Sequence, residues 1–114
     1  MVNKWEIYFC NLNPTQGSEQ QGKRPVLVIS NDAVNHVLPV STVLPLSSVK
    51  AGHKVYPTEV FLSSKTSGLP KDSVAMCQQI RTLSHDRFEN LVSTLQDVDL
   101  QDEIKEALRQ YLEL

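Results

Sequence analysis

The chain has 114 residues, 40% of them hydrophobic and 21% charged, with a formal net charge of −2. That is enough for one core and too little for two, so residues 1–114 read as a single domain, and the charge excludes a protein that holds long duplex nucleic acid by electrostatics alone. Cys10 and Cys77 form no C-x-x-C pair, which excludes the usual zinc and redox motifs, and with no apolar leader and no run of ~18 apolar residues the chain reads as soluble and cytoplasmic, without membrane contact.

The first strand is predicted over Trp5–Leu12, rich in aromatic and β-favouring residues and closed by the turn signal Asn13-Pro14. Asn13 to Lys23 is polar, carries Gly17 and Gly22, and reads as a long mobile loop. Arg24–Ser30 is an almost continuous apolar run, predicted as a strand buried on both faces, with Pro25 confined to its first residue or to an edge. A turn or short helix follows over Asn31–Leu38, then a strand over Val40–Ser47 that Pro45 bends or bulges.

Lys50–Lys54 reads as loop, Thr58–Leu62 as strand, Ser63–Lys71 as loop, and Ser73–Thr82 as one further strand. The period then changes. Phe88, Leu91, Val92 and Leu95 fit a short amphipathic helix, and Leu100, Ile104, Leu108, Tyr111 and Leu112 a longer terminal one, capped by Asp97 or Asp99. Strands followed by helices give a mainly β fold with some α: a small curled antiparallel sheet or barrel with a C-terminal helix packed on it.

His36, His53 and His85 show no ligand spacing and read as surface residues, so no metal and no cofactor are expected; Cys77 reads as a small buried hydrophobe. Charge is uneven, about +2 over residues 1–80 and about −4 over 81–114, which directs an anionic ligand to the first part. The segment Asn13–Asp32 carries the sharpest pattern: a carboxylate, amides, glycines and a guanidinium at the mouth of a buried strand. Glycines let backbone N–H groups approach a phosphate, and the planar fork of Arg24 matches two phosphate oxygens. Composition alone favours a solvated loop with Arg24 in a structural ion pair.

The run N-P-T-x-G-S-E-Q-x-G-x-R-P-V-L-V-I, with Gln79-Ile80-Arg81-Thr82 and the ending Glu103–Leu108, closely resembles the MazF/PemK (Kid) toxin family of bacterial toxin–antitoxin systems, and the likeness spans nearly the whole chain. It implies an SH3-like barrel with a C-terminal helix, forming a homodimer that cuts single-stranded RNA at short sequences without a metal. It also implies an antitoxin partner whose acidic C-terminal segment is disordered when free, with which the toxin binds DNA as a complex. On this likeness Arg24 is the catalytic arginine, Ser47 stands where threonine is usual, and Glu19 is the acidic loop residue. The Kid-like branch has a histidine at the position of Ser18 and an arginine and an acid at those of Met76 and Gln78; their absence assigns this chain the arginine-plus-hydroxyl arrangement of the MazF-like branch. Ser18, Gln20, Lys50, Lys54 and Gln79 are the donors and acceptors expected to read RNA bases. The rival readings are a catalytically degenerate RNA-binding toxin and a gyrase-targeting toxin of the same fold.

Overall fold

The computed structural model describes residues 1–114. Seven strands form one strongly bent antiparallel sheet: β1 (Glu6–Asn11), β2 (Lys23–Val28), β3 (Val40–Ser48), β4 (Glu59–Leu62), β5 (Ser73–Met76), β6 (Arg81–Ser84) and β7 (Phe88–Thr94), in the order β4-β5-β3-β2-β1-β7 with β6 also on β3. The fold is the small curled, barrel-like antiparallel sheet expected from sequence, with its hydrogen-bonded path open between β4 and β7. Helix α3 (Val98–Leu112) packs on it, while α1 (Asp32–Asn35) and α2 (Ser64–Ser67) are single turns.

The continuous apolar run in β2 is buried on both faces, as its lack of alternation requires. Leu27 joins a core of 12 residues with Ile7, Leu44, Leu46, Leu95 and Ile104, whereas Val26 and Val28 point the other way into a core of 7 with Cys10, Val43 and Leu83. Pro25 stands within β2 opposite Phe9 of β1, but the pairing of β2 with β3 begins only at Val26. Proline therefore occupies a stretch with a ladder on one side alone, where its missing N–H is tolerated.

Strand β3 is the hub. Its first half pairs with β2 and β6, and after Pro45 its second half, Leu46–Ser48, pairs with β5. Because β5 and β6 pair with different halves of β3, the stretch 73–82 cannot be the single strand expected: a 3-10 turn over Cys77–Gln79 breaks it, and Cys77 lies buried in that turn. The expected loop 63–71 likewise contains α2, which Ser63 caps and which ends at Gly68 in the left-handed region (φ 76°). A Cβ there would come within 2.7 Å of Ser93 Cβ, so glycine is required by both conformation and space.

The short helix expected over Phe88–Leu95 is strand β7 instead, paired with β1 through two register shifts. Phe88 and Val92 are four apart, a helical spacing, but the register shifts in the strand turn Phe88 to the smaller core and Val92 to the larger, and Leu91 is exposed. The open edge of β1 decides for the strand. The terminal helix stands as expected: Asp97 caps it by accepting from the Leu100 N–H at 3.0 Å, and Ile104 and Ala107 are its buried residues.

Because Ile104 docks α3 into the larger core with no exposure, Ile104→Ala should lower the unfolding free energy by about 2–5 kcal/mol. A urea titration with an unchanged slope and a lowered midpoint shows this; a loss below about 1 kcal/mol would mean that the helix is not anchored there.

Candidate functional site

The polar loop leaves β1 at Leu12 and re-enters the sheet at Lys23. Its base is closed by the Leu12 N–H donating to Gly22 O (2.9 Å) and the Gly22 N–H to Asn13 Oδ1 (3.0 Å). Two arginines brace the same point: Arg81 donates to Leu12 O (3.0 Å), and Arg87 donates to Asn11 O (3.1 Å) and Asn13 O (2.6 Å). Such bonds satisfy carbonyls that a loop without apolar anchors would otherwise leave to water.

Further along the loop, Glu19 folds back on its own turn, Oε1 accepting from the Gln16 N–H at 2.7 Å. The side-chain amide of Gln79 reaches across from the 3-10 turn, donating to Ser18 O (3.1 Å) and accepting from the Gln20 N–H (3.2 Å). Arg24, half-buried at the start of β2, donates through Nε to Gln21 O at 2.8 Å, while its two terminal nitrogens make no hydrogen bond within the chain. The planar fork is thus fixed at its root and open at its tip.

Two depressions flank this segment. The first, about 420 Å³, is lined by Ser18, Glu19, Gln20, Gln78, Gln79, Ile80 and Arg81. It joins four of the residues expected from sequence, Ser18, Glu19, Gln20 and Gln79, although 59 or more positions separate Gln79 from the other three. The second, about 340 Å³, has Arg24, Lys23 and Lys71 on its wall with Ser48 and Ser73. The pairing of β2 with β3 ends at Val26–Pro45, and beyond it Ser47 pairs with Val74 of β5, so no register joins Arg24 to Ser47. No hydrogen bond joins them, and the second depression is lined by Leu46 and Ser48 rather than by Ser47.

Lys50 and Lys54 lie elsewhere, on the connection from β3 to β4. Lys50 and His53 line a third depression of about 300 Å³, and Lys54 Nζ sits 5.5 Å from the centre of the Tyr56 ring. That connection touches the first depression indirectly. Glu59 accepts from the Tyr56 N–H (3.3 Å) and lies 3.7 Å from His53 Nε2, and its other oxygen accepts from Gln78 Nε2 (3.0 Å). Gln78, Arg81, Arg87 and Lys71 are not among the site residues expected from sequence; the Gln79–Thr82 run contains Arg81, but nothing in it shows that the chain turns at 77–79 and carries it to the loop.

Burial pushes the Cys10 thiol up to about 12 and the Cys77 thiol up to about 11, so neither is an ionised nucleophile at neutral pH. Tyr8 is pushed up to about 12 by burial and by its bond to Glu6. Asp32 moves the other way, below the usual carboxylate range, because the Lys4 N–H and Asn35 donate to it. No group of three or more histidine, cysteine or carboxylate side chains is placed to hold a metal ion.

A curled seven-stranded sheet, a terminal helix and an arginine-rooted polar loop beside an amide-lined depression define a small, mainly β protein with a polar loop site. Residues 3–112 match the family described as PemK-like, MazF-like toxin of type II toxin-antitoxin system. The chain belongs to that family. It is 38% identical over 109 residues to endoribonuclease EndoA of Bacillus subtilis strain 168, covering 96% of this chain and 92% of that protein. Among solved structures it is similar to MazF from Deinococcus radiodurans, with a TM-score of 0.80 and 28% identity over 99% of this chain and 97% of that one. An endoribonuclease from a mycobacterial species, solved with its cognate antitoxin, shares the fold at a TM-score of 0.80 and 22% identity, covering 100% of this chain and 97% of that one. No helix is long and apolar enough to cross a membrane.

The raised thiols and phenol set an alkaline limit on stability. Folded Cys10, Cys77 and Tyr8 keep their protons at pH values where the unfolded chain, with groups near 9 and 10, has released them, so the unfolded state gains as pH rises. The urea midpoint should therefore fall steadily between pH 8 and pH 10.5; a flat midpoint over that interval would contradict the burial of these groups.

Proposed function

We propose that this toxin cuts single-stranded RNA in the cytoplasm at short sequences, by attack of a 2′-hydroxyl on the adjacent phosphate and with no metal in the reaction. The carrying observation is Arg24: its Nε is held by Gln21 O and its terminal nitrogens are open, at the return of a polar loop. The name of the 38%-identical relative, an endoribonuclease, supports the same reaction and favours it over the gyrase-targeting and non-cleaving alternatives.

In the reaction, the 2′-oxygen loses its proton and bonds to phosphorus, and the bond from phosphorus to the 5′-oxygen breaks, leaving a cyclic phosphate and a 5′-oxygen that takes a proton from water to become the 5′-hydroxyl. Negative charge builds on the non-bridging oxygens, where Arg24 supplies two parallel N–H donors and a full positive charge. A guanidinium keeps its proton at working pH, so Arg24 stabilises charge and is not the base. Ser47, two residues beyond the bend at Pro45, donates its hydroxyl to a phosphoryl oxygen, and Glu19 is the loop carboxylate that takes the 2′-proton. Ser18 and Gln20 border the depression where bases are read, and Lys50 and Lys54 attract the RNA backbone on its way in.

Arg24→Ala should lower single-turnover cleavage in EDTA by about a hundredfold or more, the scale of one removed electrostatic donor. Ser47→Ala should also lose activity while Ser47→Thr keeps it, since threonine carries the same oxygen on a stiffer side chain. Near-normal cleavage by a folded Arg24→Ala protein, or by Ser47→Ala, would remove that residue from the reaction.

The toxin works as a homodimer, inhibited by an antitoxin whose disordered acidic C-terminal segment covers the less acidic part of the chain. The neighbouring structures that hold toxin and antitoxin together support this partner. The exposed apolar side chains of Val34, Val37 (78% exposed) and Leu38 form a surface that a second copy would cover. Val37→Glu should give a monomer by light scattering at micromolar concentration; a dimer that persists would place the interface elsewhere.

A further inference from the structure

We infer that Gln79 is a positioning residue, holding the catalytic loop and through it Arg24, rather than a reader of RNA bases; this rests on the ribonuclease reading above. Both ends of its amide are already engaged, Nε2 with Ser18 O at 3.1 Å and Oε1 with the Gln20 N–H at 3.2 Å. One carboxamide thus brackets Glu19 in the way a neighbouring strand would, taking the carbonyl before it and the N–H after it. The loop tip has no apolar anchor: Gln16–Glu19 are exposed, and the other bonds made there, between Gln16 and Glu19, are internal to the tip. Gln79 is the attachment between that tip and the sheet.

The connection runs on to the arginine. One residue beyond the clamped Gln20 N–H, Gln21 O accepts from Arg24 Nε at 2.8 Å, so the carbonyl that orients the guanidinium belongs to the segment Gln79 holds. The same segment buries Gln20 Oε1 without a donor, which makes its conformation unfavourable on its own. An attachment from outside the loop is needed, and the Gln79 amide and the Arg24 Nε supply it. Only a side chain that offers both a donor and an acceptor at this length can do so. A carboxylate would meet Ser18 O with a lone pair, but a protonated carboxyl would restore both bonds.

The test uses Gln79→Ala and Gln79→Glu in the full chain. In Gln79→Ala the Gln20 amide should exchange its hydrogen at least about tenfold faster than in the wild type while the Leu44 amide in the core is unchanged. Single-turnover cleavage should fall about tenfold or more in rate at saturating RNA, with half-saturation shifted less than about twofold and the same cut sites. Glu19 and Arg81 line the same depression and Glu59 accepts from Gln78; all three are present in wild type and variant alike. The ratio of the Gln79→Glu rate to the wild-type rate should rise about twofold or more from pH 7.5 to pH 5, as part of the new carboxyl gains its proton. Unchanged exchange at Gln20, a loss confined to RNA affinity or cut-site choice, or a pH-independent ratio would each overturn the inference. If the wild type cleaves no RNA, the ribonuclease reading falls while the exchange measurement still decides the clamp.

Discussion

Strand β3 has to change partners in mid-course, and the rest of the structure depends on that. Pro45 brings no N–H to the ladder, the pairing with β2 ends at it, and from Leu46 onward the strand belongs to β5. The bend that results lets one nine-residue strand serve both cores, Val43 on one face and Leu44 and Leu46 on the other. It also forces the stretch after β5 to turn at 77–79 so that β6 can return to the first half of β3. That turn is what carries Gln78 and Gln79 to the loop, so a backbone constraint in the core shapes the polar site.

The loop itself is held by side chains that donate to its carbonyls. Arg81 and Arg87 fix its base, Gln79 its tip, and Arg24 its return. A segment this polar has no hydrophobic gain to offset the loss of chain entropy on ordering, and charged or amide donors to backbone oxygens are the remaining means of holding it. Three of these four donors are arginines. Three guanidinium groups thus hold the loop, and of these only Arg24 keeps both outer nitrogens free of bonds within the chain. The ion pair from Lys23 to Glu89 (3.4 Å), between exposed side chains, adds little by comparison.

The join between β1 and the rest shows a local cost accepted for a global fit. Trp5 lies at φ 72°, unusual for a bulky residue. Its N–H donates to Val28 O at 2.7 Å and its carbonyl accepts from the Leu95 N–H at 2.8 Å, tying the start of β1 to the ends of β2 and β7. Its ring packs against the larger core with Lys4 Nζ and Lys105 Nζ 5.2 and 5.9 Å from its centre. Nothing in the alternation around Trp5 announced this conformation.

By itself the sequence determined the class of the fold, the both-faced burial of Val26–Val28, the bend at Pro45, the polar loop, the cap at Asp97 and the family, because each of these is written in local pattern: period, proline, glycine, a capping carboxylate and a motif read in order. It could not decide Phe88–Thr94, where a spacing of four reads as helical and the open edge of β1 made a strand, nor the break at Cys77–Gln79, which answers to the two halves of β3. The site divides the same way. Arg24, Glu19 and Ser18 stood together in the chain and were legible, whereas the bonds from Gln79, Arg81 and Arg87 to the loop join residues some sixty to seventy positions apart. Only tertiary structure decided which side chains meet across such distances, because hydrogen-bonding capacity is local to a residue but its partner is set by how the sheet bends.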